Sequence, residues 1–409
     1  MSNVIAEKIE ALVPDFEYVD EDDRAVLSVG FTASFFFWGG HTGTKRTAVV
    51  ECIEAFEALY GQHLEWALNE DTGRWEKLSS KKYLSARQQA ERMDENDSLS
   101  IYLCSGEDHQ AVSEYAVSCL TERGWMSGEI SVFRFQVPRA VVFEQKSKDQ
   151  LQELITTCLQ KLAPFHGSAG FSAISTYGEI FWEPEKLDVA TRYLILNSGG
   201  RVIDKMGAPH GIKSISWLTF VGDVLAERLG GSKIFPAYCQ RFGITAKRLD
   251  HGFLFQADEL PGLGPIEEPV PDGYLKVNAA LRPLRAGNFG SMGSGSVNGE
   301  IRFNEFTTDL WIRRLDGPGI WPPETFVGLP ASLPGSPPVR KLKLRTGDEC
   351  VVSGRYRHPG FALPEPDEED EAPHVVLLEG DYAPYSLKLG PHGEYLARDV
   401  VNWELVSTL

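Results

Sequence analysis

"RAVLSVGFTASFFFW" (residues 24–38) and the stretch just after it, "HTGTKRTAVVECIEAFEALYG" (41–61), set the terms of the fold. The first is rich in β-branched and aromatic residues with partial alternation, and reads as one or two strands. In the second, Val49, Ile53, Phe56 and Tyr60 recur at helical spacing. Thr44 stands where a cap is expected and Gly61 ends the run, so a strand feeds a helix.

Working outward, "SLSIYLC" (98–104) and "EISVFRFQVP" (129–138) read as strands. Residues 112–123 place Val112, Tyr115, Ala116, Cys119 and Leu120 on one helical face, with Gly124 as a stop. "SKDQLQELITTCLQKL" (147–162) opens with Ser147 and Gln150 in capping-box spacing and carries a stripe of Leu151, Leu154, Ile155, Cys158 and Leu162. The unit 129–162 thus resembles the unit 24–61 in pattern. "GFSAISTYG" (170–178) is a strand, and 183–200 a helix with Pro184 in its first turn and Gly199–Gly200 at its end. A hairpin-like pair follows at 242–247 and 252–256, and 274–281 and 307–315 read as further strands. Strands and helices without a strict βαβ rhythm predict an α+β fold with a mixed or mostly antiparallel sheet and packed helices.

After a turn-rich passage at 257–273, the segment 316–340 is dense in proline and reads as a semi-rigid linker. Beyond it, "KLKLRTG", "VVSGRYRH", "HVVLLEG" and "VVNWELV" are short strands separated by turns. The expected organisation is an N-terminal segment 1–23, an α+β domain 24–315, the linker, and a small all-β, SH3-like domain 341–409.

The charge balance is 40 Lys and Arg against 58 Asp and Glu, a formal −18. Such a surface repels phosphate backbones and anionic lipid, so neither nucleic acid nor membrane is an expected partner, whereas a basic protein is. Two acidic runs are candidate contact points: Asp20, Glu21, Asp22 and Asp23, and Asp367, Glu368, Glu369 and Asp370. The six cysteines lack ligand spacing, and the N-terminus lacks the basic and apolar regions of a signal peptide, so a reducing cytoplasm is expected.

No catalytic constellation stands out. HExxH, GxSxG, Walker A and a strand-to-helix GxGxxG are all missing. His210 and His392 lie in turn contexts, and the Gly/Ser-rich stretch 288–300 has no lysine and no following helix to cradle phosphate. Glu144–Gln145–Lys146 has the form of a nuclease ExK triplet without an upstream Asp. Neither catalytic nor metal residues are assigned, and no cofactor is expected; the reading is of a binding protein rather than an enzyme.

"GIKSISWLTFVGDVLAERLGG" (211–231) resembles the signature of a family of type VI secretion immunity proteins, in which an Ile-x-x-x-x-Trp-Leu-Thr segment precedes a helix ending in Gly-Gly. "FFFWGGHTGTKRTAVVECIEAFEALYG" (35–61) and "GSAGFSAISTYG" (167–178) extend the likeness over about residues 24–260. The resemblance implies a cytoplasmic immunity protein that binds a cognate type VI effector, of nuclease type given the −18 charge, and occludes its active site. In that signature Trp217, Leu218, Thr219, Gly230 and Gly231 are expected to maintain the fold. The competing readings are an adaptor or chaperone that loads an effector, and a hydrolase using carboxylates near Glu144 or Asp20.

Overall fold

The computed structural model describes residues 2–69, 73–106, 109, 111–177, 179–296, 299–333, 342–358 and 374–409. Eleven strands form one sheet: β1 (Tyr18–Val19), β2 (Ala25–Phe37), β3 (Leu64–Asn69), β4 (Arg74–Lys77), β5 (Ser100–Ser105), β6 (Ala116–Leu120), β7 (Ser131–Val137), β8 (His166–Ser175), β9 (Leu218–Gly222), β10 (Lys247–Leu249) and β11 (Gly252–Gln256). Their order is β10-β11-β9-β8-β2-β7-β6-β5-β3-β4, with β1 also paired to β2, and every ladder is antiparallel. The helices are α1 (Ser2–Ala11), α2 (Val13–Phe16), α3 (Gly43–Tyr60), α4 (Ala86–Ala90), α5 (Gln145–Leu162), α6 (Glu183–Arg192), α7 (Arg201–Gly207), α8 (Asp223–Ala226), α9 (Phe235–Gln240), α10 (Asp272–Leu281) and α11 (Glu305–Ile312). The fold is α+β, as expected.

The single strand β2 is the spine. Leu27, Val29, Phe31, Ala33, Phe35 and Phe37 alternate along it and are buried. Phe35 meets Phe133 and Phe135, and Phe135 meets Phe56 of α3. Helices α3 and α5 pack against each other, Cys52 and Ile53 with Leu154 and Cys158 belonging to the same core. The units β2–α3 and β7–α5 therefore lie side by side. Burial of each large side chain contributes about 1.5–3 kcal/mol, and this cluster carries most of the stabilisation. The opposite face of β2 presents Ser28, Gly30, Thr32 and Ser34, small residues that continue as a polar strip onto β7 and β8.

Several local expectations are corrected. Residues 116–120 are a strand between β5 and β7, because cross-strand pairing on both sides outweighs a helical spacing too short to bury a helix. Residues 274–281 belong to α10, whose Tyr274, Val277 and Leu281 are buried at helical spacing. Residues 307–315 are largely in α11, which Asn304 and Thr307 start as a capping box. The true cap of α3 is Thr42, which accepts from the Lys45 N–H, and α5 begins at Gln145, with Ser147 donating to Glu144. Helix α6 stops at Arg192 because Leu194 and Ile195 pair with Gly264 and Leu263. The hairpin lies at 247–249 and 252–256.

The C-terminal region is all β. Strands β12 (Lys343–Arg345), β13 (Gly354–Arg357), β14 (His374–Leu377) and β17 (Asn402–Thr408) form a sheet in the order β12-β17-β13-β14, beside a hairpin of β15 (Ser386–Leu389) and β16 (Tyr395–Asp399). It is fastened to the body by Arg282–Asp381, Arg355–Asp309 and Arg398–Glu227 ion pairs. Within the proline-rich segment Trp321 is buried, stacks on Phe303 and donates to the Ala190 carbonyl.

Candidate functional site

Asp20 to Asp23 form the turn from β1 to β2. The Asp20 carboxylate accepts from the backbone N–H groups of Arg24 and Asp22 and from the Arg24 guanidinium, at 2.8–3.0 Å. Those bonds, the Arg24 N–H first, hold its carboxyl below the usual range. Asp22 pairs with Arg24 at 2.9 Å, and Asp23 takes a left-handed conformation (φ 56°) that a short polar residue tolerates. Two of the four carboxylates therefore shape the turn, while Glu21 and Asp23 face solvent without an ion pair among the described residues. The other candidates, Asp367, Glu368, Glu369 and Asp370, lie outside the described residues.

Tertiary packing makes the turn part of a larger acidic face. Phe16 of α2 sets its ring 6.1 Å from that of Tyr193, and Lys8 of α1 pairs with Glu268. The Tyr18 hydroxyl bonds Asp188, with Arg192 alongside; burial first, then that carboxylate, pushes the phenol up to about 12. Asp15 and Glu267 both act on Tyr193. Exposed Asp15 and Glu267 thus stand near Tyr193, with exposed Glu7 next to Lys8 in α1 and exposed Glu21 and Asp23 in the turn after Tyr18, while the nearby bases Lys8, Arg24, Arg139 and Arg192 are each tied to a carboxylate. Sequence reading found one segment of this face. Glu267 and Asp15 are 252 positions apart, so their proximity has no local signal.

The signature residues Trp217, Leu218, Thr219, Gly230 and Gly231 are all buried. Trp217 is fully buried, edge-on to Phe31, and its indole N–H donates to the Asp258 carbonyl at 2.8 Å. Leu218 lies in β9, and the buried Thr219 hydroxyl accepts from the Ser216 N–H. After a short helical turn the chain reaches Gly230 (φ 100°) and Gly231 (φ 75°). A Cβ on Gly231 would stand 2.3 Å from the Glu227 carboxylate, which pairs with Arg398 of β16 at 2.6 Å. The Gly-Gly stop therefore shapes the seam with the C-terminal region.

The remaining candidates do not converge. Glu144 precedes α5 and its triplet is exposed. From the Gly/Ser-rich stretch, Ser294 donates both its N–H and its hydroxyl to Glu183. The His392 ring lies 4.5 Å from that of His41, tilted by 47°, and the His41 Nδ1 is 3.3 Å from the buried Glu122; His210 lies in the turn that follows α7. Among the described residues no group of three or more His, Cys, Asp or Glu is placed to hold a metal ion, and no helix is long and apolar enough to cross a membrane.

An aromatic cluster escaped sequence reading. Trp75 of β4 meets Tyr102 of β5, Tyr177 and His109 with ring centroids 4.9–5.9 Å apart; Trp66 of β3 touches His109, and Lys77 lies 5.1 Å over Trp66. Tyr177, Ile180 and Phe181, the last 74% exposed, carry this surface to the start of α6. Alternation in β3–β5 was its faint signal; loop residues 109 and 177 had none.

Comparison with known proteins agrees with this architecture. The T6SS protein PA0821 of Pseudomonas aeruginosa, 24% identical, shares the fold with a TM-score of 0.66 over 73% of this chain and 87% of its own. No curated protein matches significantly. Residues 48–315 match TsiV, described as type VI immunity for VRR-NUC, a span that starts later and runs further than the likeness read from the sequence. With more than half of its length matched, the chain belongs to the TsiV family of type VI immunity proteins.

Proposed function

We propose that this protein neutralises a cognate VRR-NUC effector, a nuclease-type toxin, by forming a stoichiometric complex that covers the toxin's active site. The family description supports the immunity role. The observation that carries the mechanism is the acidic face built from α1, α2, the 20–23 turn, the end of α6 and the 265–268 loop. A nuclease grips phosphates with a basic surface, and an acidic partner steers onto that surface quickly and competes for it. In this reading the protein acts in the cytoplasm, where the toxin meets DNA, without a cofactor, and the α+β body makes the contact while 341–409 buttresses it as a separate all-β domain.

Co-expression with the effector of the neighbouring gene tests the proposal. Survival of cells that the effector alone kills, together with a 1:1 complex on purification, is the expected result. A lethal effector that stays unbound in the presence of this protein would sink it.

A further inference from the structure

Arg134 lies in the middle of the large sheet, on β7. Its cross-strand neighbours on the same face are Ser118 of β6 and Ser34 of β2, and Ser118 in turn faces Tyr102 of β5. Its side chain is half-buried and has no ion pair and no side-chain hydrogen bond among the described residues. Several other half-buried arginines are ion-paired, Arg139 with Glu10, Arg302 with Glu183, Arg355 with Asp309 and Arg398 with Glu227, while Arg228, which has no ion pair among the described residues, donates instead to the His210 carbonyl. A guanidinium drawn partly out of water without a counter-charge is unfavourable, and a carboxylate supplied by a partner would relieve it.

We propose that Arg134 and the Trp75–Tyr102–Tyr177 cluster form the central anchor for the effector, taking a protein segment that presents a carboxylate flanked by apolar side chains. This rests on the immunity reading above and deepens it. Strand spacing of about 4.8 Å puts Tyr102 about 10 Å from Arg134 across the sheet, within the footprint of one peptide segment. Trp, Tyr and Arg are the residues that dominate interface energetics when clustered. Helix α6 links the two surfaces: Phe181 precedes its first turn and Asp188 lies in its second half, and its ten residues span about 15 Å. The acidic face would then steer the basic toxin while the anchor sets the lifetime of the complex.

The test is the affinity of the full chain for a catalytically disabled form of the neighbouring effector. It is measured by titration calorimetry for the wild type, Arg134→Glu, Arg134→Met and Trp75→Ala, each with its thermal midpoint. Arg134→Met retains the aliphatic stem and keeps the test readable should the glutamate variant fold poorly. The anchor predicts that Arg134→Met and Trp75→Ala each weaken binding by about 30-fold or more, with melting unchanged. Tight wild-type binding with both variants within about threefold would overturn the anchor while leaving the immunity reading intact. No binding by the wild type would remove both. An Arg134-dependent oligonucleotide shift, or an Arg134-dependent self-association in light scattering, would assign the surface to a different occupant and also overturn it.

Discussion

Arg282, just after α10, and Asp381, before β15, meet in a buried bidentate ion pair at 2.7 and 2.8 Å. Asp381 also accepts from the Leu378 N–H, and Asp316, 3.6 Å from Arg282, is already engaged by Arg285 at 2.6 Å. The pair joins the all-β region to the helical layer with its charges out of water.

Removing one partner leaves a buried charge uncompensated. Asp381→Ala is expected to destabilise the protein by about 3 kcal/mol or more, whereas replacing both residues by apolar ones of similar size costs much less. Urea unfolding of the single and double variants checks this; equal losses in both would refute the uncompensated-charge account.

Gly231→Ala places a methyl against the Glu227 carboxylate at a positive φ. The left-handed backbone alone costs about 1–2 kcal/mol, and Glu227 must move off Arg398. Loss of stability by denaturant titration, with the Arg398→Ala change adding little on the Gly231→Ala background, is the expected pattern.

His166 lies with its ring 4.9 Å from that of Phe36 and hydrogen-bonds the Ala208 carbonyl at 2.9 Å. Burial drives its pKa down to about 4. The unfolded histidine titrates near 6.5, so the unfolded state binds the extra proton as pH falls through that value. Stability from this group is therefore present above about pH 6.5 and is lost progressively down to about pH 4, by about 3 kcal/mol in total. His166→Asn should flatten that part of the stability–pH curve relative to wild type, while the acid limb due to carboxylates stays in both.

For the acidic face, lysine at Glu21, Asp23 and Glu267 together should slow association with the effector about tenfold at low salt, with the gap closing near 0.5 M salt as screening shortens to a few ångströms. Stopped-flow association rates measure it directly. An unchanged rate at low ionic strength would separate the acidic face from the encounter.

Parts of this architecture could be read before any tertiary information. The strand of residues 25–37 and helices 43–60 and 145–162 carry apolar residues at periods that match their elements, so each was legible. The stretch 112–123 was not, because its five apolar residues satisfy a helix template while β5 and β7 on either side claim their hydrogen bonds. The reverse happened at 274–281 and 307–315, where short apolar runs were read as strands although their length cannot settle the matter. Of the candidate contacts, the 20–23 turn was visible as a charge run, yet half of its carboxylates serve the turn itself.

By itself, the sequence determined the α+β class, the net acidity and the family signature, because these depend on composition, local period and short spacing. Only the tertiary structure decided that Asp15 and Glu267 come to the same tyrosine and that Arg134, among the described residues, has no ion pair. Both follow from strand order and helix docking, which bring Asp15 and Glu267 to Tyr193 and set Arg134 between Ser34 and Ser118. Such neighbourhoods are fixed by burying one continuous core, and no local stretch of chain encodes them.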